Sequence, residues 1–165
     1  MAYNFNAQEV FEMAIQIEEN GAAFYRKAAD LQKEAADKKF LQTLAQVEDR
    51  HKVSFQEMKT QVSELEKSQT VFDPNDELSA YLKAMADAHG GEGNPEALEL
   101  LTGKETMAEI VTLAIGLEKE SILFYLGLKD IVPPKYGQEK IDEIINEEKK
   151  HVVQLSGFLK KAQKS

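Results

Sequence analysis

The sequence predicts an all-α fold, a bundle of four long helices paired into two antiparallel hairpins. Three observations predict it. Apolar residues recur at steps of three and four through four long segments. The prolines, with a run of glycines, mark the connections between those segments. Many residues on one face of each segment also reappear one hundred positions later. No stretch alternates convincingly with period two, so no sheet is expected.

A first helix is predicted from about Ala7 to Glu34, with Asn6 as N-cap. A turn near Ala35-Ala36-Asp37 leads to a second helix reaching about Lys67. The segment Ser68 to Gly103 carries Pro74, Gly90, Gly91, Gly93 and Pro95 and reads as a long crossover. Within it Asp76 to His89 has the pattern of a shorter helix, ended by Gly90. A third long helix runs from about Lys104 to Asp130 and stops at Pro133-Pro134, and a fourth runs from about Gln138 to Ala162. Short links inside each pair and one long link between the pairs give the topology of ferritin-like folds. Residues 1–165 are expected to form one such domain, a length sufficient to bury a real core.

Composition narrows the chemistry. The chain has 29 acidic against 20 basic residues and a net charge of -9, so a nucleic-acid backbone or an anionic membrane would repel it. With no cysteine, disulfides, thiolate metal sites, thiol catalysis and Cys-ligated iron–sulfur clusters are excluded within the chain. Met1 to Asn6 shows neither a basic region nor an apolar run, and no apolar stretch approaches the ~18 residues of a membrane span. A cytoplasmic location is therefore expected.

The chemistry sits on the helix stripes. The second helix presents Leu41, Leu44, Glu48, His51, Phe55, Met58, Val62 and Leu65 on one face, and the fourth presents Ile141, Ile144, Glu148, His151, Leu155, Phe158 and Ala162. The first contributes Phe11, Ala14, Glu18, Gly21, Tyr25 and Ala28; the third, Val111, Ala114, Glu118, Ser121, Tyr125 and Leu128. A carboxylate interrupts each mostly apolar seam. The offset of one hundred pairs Glu9 with Glu109, Ala14 with Ala114, Ile15 with Ile115 and Glu18 with Glu118. It also pairs Phe24-Tyr25 with Phe124-Tyr125, Glu48 with Glu148, His51 with His151 and Val53 with Val153. Glu118 lies fifteen residues before Pro133 and Glu148 fifteen after it, so a hairpin folded there brings the two to one level. Glu18 and Glu48 bracket the first turn similarly.

Four ionised carboxylates in an apolar core require compensation, or their pKa values rise. Two divalent cations balance four carboxylates and two neutral imidazoles. A Glu from each of two helices, with Glu-x-x-His from each of the other two, is the ligand set of ferritin-like di-iron and di-manganese bundles. In such a site Glu48 and Glu148 bridge two metals, Glu18 and Glu118 are terminal ligands, and His51 and His151 bind one metal each. Oxygen and imidazole donors without sulfur suit iron or manganese, and admit zinc.

Glu18-Glu19-Asn20-Gly21-Ala22-Ala23-Phe24-Tyr25 with Glu48-Asp49-Arg50-His51 resembles the rubrerythrin branch of the ferritin-like superfamily. So does Glu118-Lys119-Glu120-Ser121-Ile122-Leu123-Phe124-Tyr125 with Glu148-Lys149-Lys150-His151. The resemblance spans nearly the whole chain. It implies a non-haem centre of two iron ions that reacts with a small oxidant, hydrogen peroxide or oxygen. Rubrerythrins proper usually add a rubredoxin-like domain with paired Cys-x-x-Cys motifs. Lacking it, this chain would take electrons from an external donor such as a rubredoxin-like protein, and nothing in the sequence opposes a homodimer. Rubrerythrins proper also place a further Glu where this chain has Ser121, which leaves a more symmetric set, closer to the bacterioferritin-type pattern.

Other residues invite simpler readings. Tyr25 and Tyr125 lie two turns after Glu18 and Glu118 and serve core packing, a hydrogen bond to a ligand carboxylate, or a redox role. Glu147, beside Glu148, is placed to approach the site but reads first as a solvated flank. His89 stands beside Gly90 at an expected helix end, where the dipole favours it, and is assigned no ligand role. Peroxide or oxygen reduction, Fe(II) oxidation and non-enzymatic metal binding are the functions consistent with this pattern.

Overall fold

A computed structural model of the chain describes residues 7–65, 77, 80–81, 84, 96–132, 134 and 137–164. The helices with both ends described are α1 (Ala7–Asp30), α2 (Ala35–Leu65), α3 (Glu96–Glu99), α4 (Met107–Ile131) and α5 (Gln138–Ala162). The four long helices form two hairpins, α1 packing chiefly on α2 and α4 on α5. Surface ion pairs clip each hairpin: Lys52–Glu19 at 2.6 Å and Lys59–Glu12 at 2.7 Å join α2 to α1, and Lys129–Asp142 at 2.7 Å joins α4 to α5. Such exposed pairs add little energy, so the hairpins depend on their apolar seams.

Those seams carry the predicted stripes inward. From Phe11 to Met58 and from Val111 to Leu155 the stripe residues are buried; Phe158 is half-buried, and Ala162 is exposed at the end of α5. Phe158 stacks on Phe40 with ring centroids 5.8 Å apart. The core divides into two apolar clusters that the offset of one hundred interchanges. One contains Phe11, Phe55, Phe124, Tyr125 and Ile141; the other contains Val111, Leu155, Phe24, Tyr25 and Leu41.

Helix boundaries differ from the periodicity at several ends, each for a local reason. The first helix stops at Asp30, not Glu34. Gln32 N donates to Ala29 O at 3.1 Å in a tight turn, and the Gln32 side chain donates to Ala28 O at 2.9 Å. Ala35, Ala36 and Asp37 begin α2 instead of forming the turn, with Asp37 in the first turn where the helix dipole favours an acid. The third long helix begins at Met107 because Thr106 and Glu109 form a capping box. Just before it Glu105 accepts from Thr102 Oγ1 at 2.6 Å and from Gly103 N at 2.9 Å. The Thr102 hydroxyl and nearby backbone amides hold the Glu105 carboxyl down at about 2. The fourth helix has the predicted bounds.

The Asn6 cap, the end of the second helix at Lys67, His89 and most of the expected Asp76–His89 helix lie outside the described residues. Of that helix, Glu77, Ala80, Tyr81 and Ala84 are helical. The crossover touches both hairpins: the Tyr81 hydroxyl donates to Leu123 O of α4 at 3.0 Å, and Lys27 Nζ of α1 donates to Leu98 O of α3 at 2.6 Å. Among the described residues, no helix is long and apolar enough to cross a membrane.

The α4–α5 turn depends on Gly137. Its φ of +117° disfavours any side chain, and an added Cβ would lie 2.8 Å from Met58 Sδ. Gly137→Ala is expected to lower the unfolding free energy by about 1–2 kcal/mol, read from urea denaturation; an unchanged midpoint would show that the turn tolerates a side chain.

Candidate metal centre

Each long helix delivers one carboxylate to a single polar layer between the apolar clusters. Glu18 of α1, Glu48 of α2, Glu118 of α4 and Glu148 of α5 are all 0% exposed. One turn beyond Glu48 and Glu148, His51 and His151 are buried too, their rings 6.2 Å apart. The level is set by the hairpin turns, and the facing is set by the i to i+3 step, which projects Glu and His from one side of a helix.

His51 Nδ1 lies 2.7 Å from Glu148 Oε1 and 3.5 Å from Glu18 Oε2. His151 Nδ1 lies 3.1 Å from Glu148 Oε2, 3.3 Å from Glu118 Oε1 and 3.4 Å from Glu48 Oε1. The donor atoms make two groups, in each of which all members lie within 4.8 Å of one another. Glu18, Glu48, His51 and Glu148 form one; Glu48, Glu118, Glu148 and His151 form the other. Glu48 and Glu148 belong to both.

The atoms fit a cation better than they fit one another. Glu18 Oε2, His51 Nδ1 and Glu148 Oε1 are buried and close together, yet they lack hydrogen-bond alignment. Hard carboxylate oxygens with two imidazoles form a donor set suited to divalent iron, manganese or zinc.

Two phenols orient the carboxylates across the bundle. The Tyr25 hydroxyl donates to Glu118 Oε1, and the Tyr125 hydroxyl donates to Glu18 Oε1. Each tyrosine thus serves the carboxylate of the opposite hairpin, not the one two turns before it on its own helix. Phe55 packs on the Tyr125 ring, with centroids 5.0 Å apart.

Glu147 keeps a partly exposed side chain and also approaches the site. Its Oε2 lies 2.9 Å from His51 Nε2, so both nitrogens of His51 face carboxylates. Periodicity along α5 could not show this, because Glu147 reaches a residue on α2 and not one on its own stripe. Ser121 turns its hydroxyl to Leu117 O at 3.2 Å.

The electrostatics follow from burial and proximity. Burial raises the Glu18 carboxyl above its ordinary pKa. Burial also pushes Glu148 upward, but Glu118, His151 and His51 outweigh it and hold that carboxyl well below the usual range. For His51, burial opposes the charge, while Glu148 and Glu18 overcome it and raise the pKa to about 11. His151 is raised to about 9 by Glu118 and Glu148 against the same burial penalty. Its hydrogen bond to His51 lowers Glu147. Without a metal, imidazolium protons supply positive charge to the layer, and a metal bound at Nδ1 would displace them.

Architecture and site together define a ferritin-like four-helix bundle with a buried carboxylate–histidine layer. The fold is similar to a crystal structure from Thermotoga maritima that carries the provisional description ferritin-like diiron-carboxylate protein, with a TM-score of 0.75 and 25% sequence identity. The match covers 98% of this chain and 99% of that one. No family model matches the chain, and no curated protein matches it.

The raised histidines fix a sign for the stability of the metal-free protein. Their contribution is complete below the unfolded value of 6.5 and is lost as pH rises through about 9 for His151 and about 11 for His51. Chemical denaturation of the metal-free protein should therefore show stability declining from pH 7 to 10. The double variant His51→Ala, His151→Ala should lose that decline; a wild-type stability that rises over the same interval would contradict the assignment.

Proposed function

We propose that the chain binds two iron ions in this layer and uses them as an oxidoreductase that reduces hydrogen peroxide or oxygen with electrons from an external donor. The observation that carries the proposal is the pair of overlapping donor groups sharing Glu48 and Glu148. Glu48 and Glu148, common to both groups, would be shared between the ions; Glu18 and His51 would complete one position, and Glu118 and His151 the other. The similar Thermotoga maritima structure supports a di-iron reading by its description, and the motif resemblance supports a rubrerythrin-like one.

Bound iron supplies one-electron redox chemistry toward a small oxidant. The protein's own groups do the rest. Tyr25 and Tyr125 hold the Glu118 and Glu18 carboxylates in place, so the ligands are oriented before the oxidant arrives. The two apolar clusters exclude bulk water from either side of the layer. Peroxide reduction consumes two electrons and two protons and yields two waters. An external donor such as a rubredoxin-like protein would supply those electrons.

A second reading, oxidation of Fe(II) by oxygen, is favoured by Ser121. This residue offers no carboxylate and keeps the two halves of the ligand set alike. Non-enzymatic metal binding is the third outcome that the experiment below distinguishes.

Metal analysis after anaerobic Fe(II) loading is expected to give two ions per chain, and less than about one would contradict the site. His51→Ala and His151→Ala should each reduce the stoichiometry. On the loaded protein, near-ultraviolet absorbance followed during addition of peroxide or oxygen separates the reactions. Fast oxidation by peroxide supports the leading reading, and repeated turnover of Fe(II) with oxygen supports the second. A redox-silent protein that unfolds on metal removal would replace both with a structural role.

A further inference from the structure

We infer that the two metal positions are inequivalent and that Glu147 makes them so, acting as a positioning residue that renders the His51 position the tighter one. The inference rests on the two-metal reading above. The offset of one hundred reproduces the six donor residues and both tyrosines identically in the two halves. It fails at the residue just before the shared glutamates: position 147 is Glu, and position 47 is Val.

That difference falls on the histidines. Glu147 Oε2 lies 2.9 Å from His51 Nε2, while His51 Nδ1 faces inward, 2.7 Å from Glu148 Oε1 and 3.5 Å from Glu18 Oε2. A neutral imidazole carries one proton. A carboxylate acceptor at Nε2 keeps the proton there, so Nδ1 presents its lone pair to the metal and the ring cannot turn away. Electron density drawn toward Nδ1 also makes it the stronger donor. An isopropyl side chain accepts no hydrogen bond, so Val47 cannot give His151 this support. Partners of this type typically change metal affinity about 10–100-fold. The Glu147 side chain is 42% exposed, which places the expected effect toward the lower end of that range.

Two ions that share Glu48 and Glu148 also repel each other, and repulsion alone separates binding steps. The change between wild type and variants is therefore the decisive quantity. Cobalt(II) is titrated into the metal-free full-length chain, with heat and visible absorbance recorded together. Wild type should bind one ion per chain in a tight step and a second in a weaker one. Glu147→Val should weaken the first step about 10-fold and leave the second nearly unchanged. Val47→Glu should tighten the second step and leave the first nearly unchanged. A merely structural contact between Glu147 and His51 would not produce that gain on the other side of the site. Two indistinguishable steps in wild type would overturn the inference, as would a Val47→Glu protein whose second step is not tightened. Failure of wild type to bind two ions would instead overturn the two-metal reading itself. Should Glu147→Val fold poorly, Val47→Glu alone decides.

Discussion

Four glutamates buried side by side in an apolar interior create a demand for positive charge, and much else in this bundle can be understood as meeting it. Removing an ion from water costs several kcal/mol even after the protein relaxes. Glu18, Glu48, Glu118 and Glu148 are each fully buried. Replacing them with leucine would leave a continuous seam from one apolar cluster to the other, and such replacements are often neutral or stabilising. The layer therefore has no rationale in stability and is more simply understood as a binding device. His51 and His151 meet part of the demand with imidazolium charge; two divalent cations, as proposed, would meet it fully.

Internal symmetry explains how so short a chain builds the layer. Each hairpin supplies two carboxylates, one histidine and one tyrosine, and each tyrosine crosses to a carboxylate of the other hairpin. The hairpins are thus joined through the polar layer as well as through apolar packing. The two clusters above and below contain equivalent residues from opposite halves, such as Phe55 in one and Leu155 in the other. Where the halves differ, at positions 147 and 47, the symmetry of the layer is broken next to a histidine.

Much of this was legible in the sequence because helical periodicity is a local property. Steps of three and four identified which faces are buried, and the repeat at one hundred identified which residues are equivalent. The burial of Glu48 and Glu148 follows from apolar neighbours such as Leu44 and Ile144 on the same stripe. Properties that depend on two helices at once were not legible. The partner of Tyr25 is Glu118 on α4, a choice fixed by the crossing of the hairpins. Glu147 meets His51 only because α5 lies beside α2. Helix ends were misplaced where side chains intervene: Thr106 and Glu109 delay α4 by forming a cap, and the Gln32 side chain helps close α1 early.

The claim that this layer holds a pair of metal ions is tested most directly by crystallography of the iron-loaded protein with data collected across the iron absorption edge. Two anomalous peaks per chain are predicted between Glu48 and Glu148, one against His51 Nδ1 and the other against His151 Nδ1. Peaks confined to exposed carboxylates, or a layer with no anomalous signal in fully loaded crystals, would contradict it.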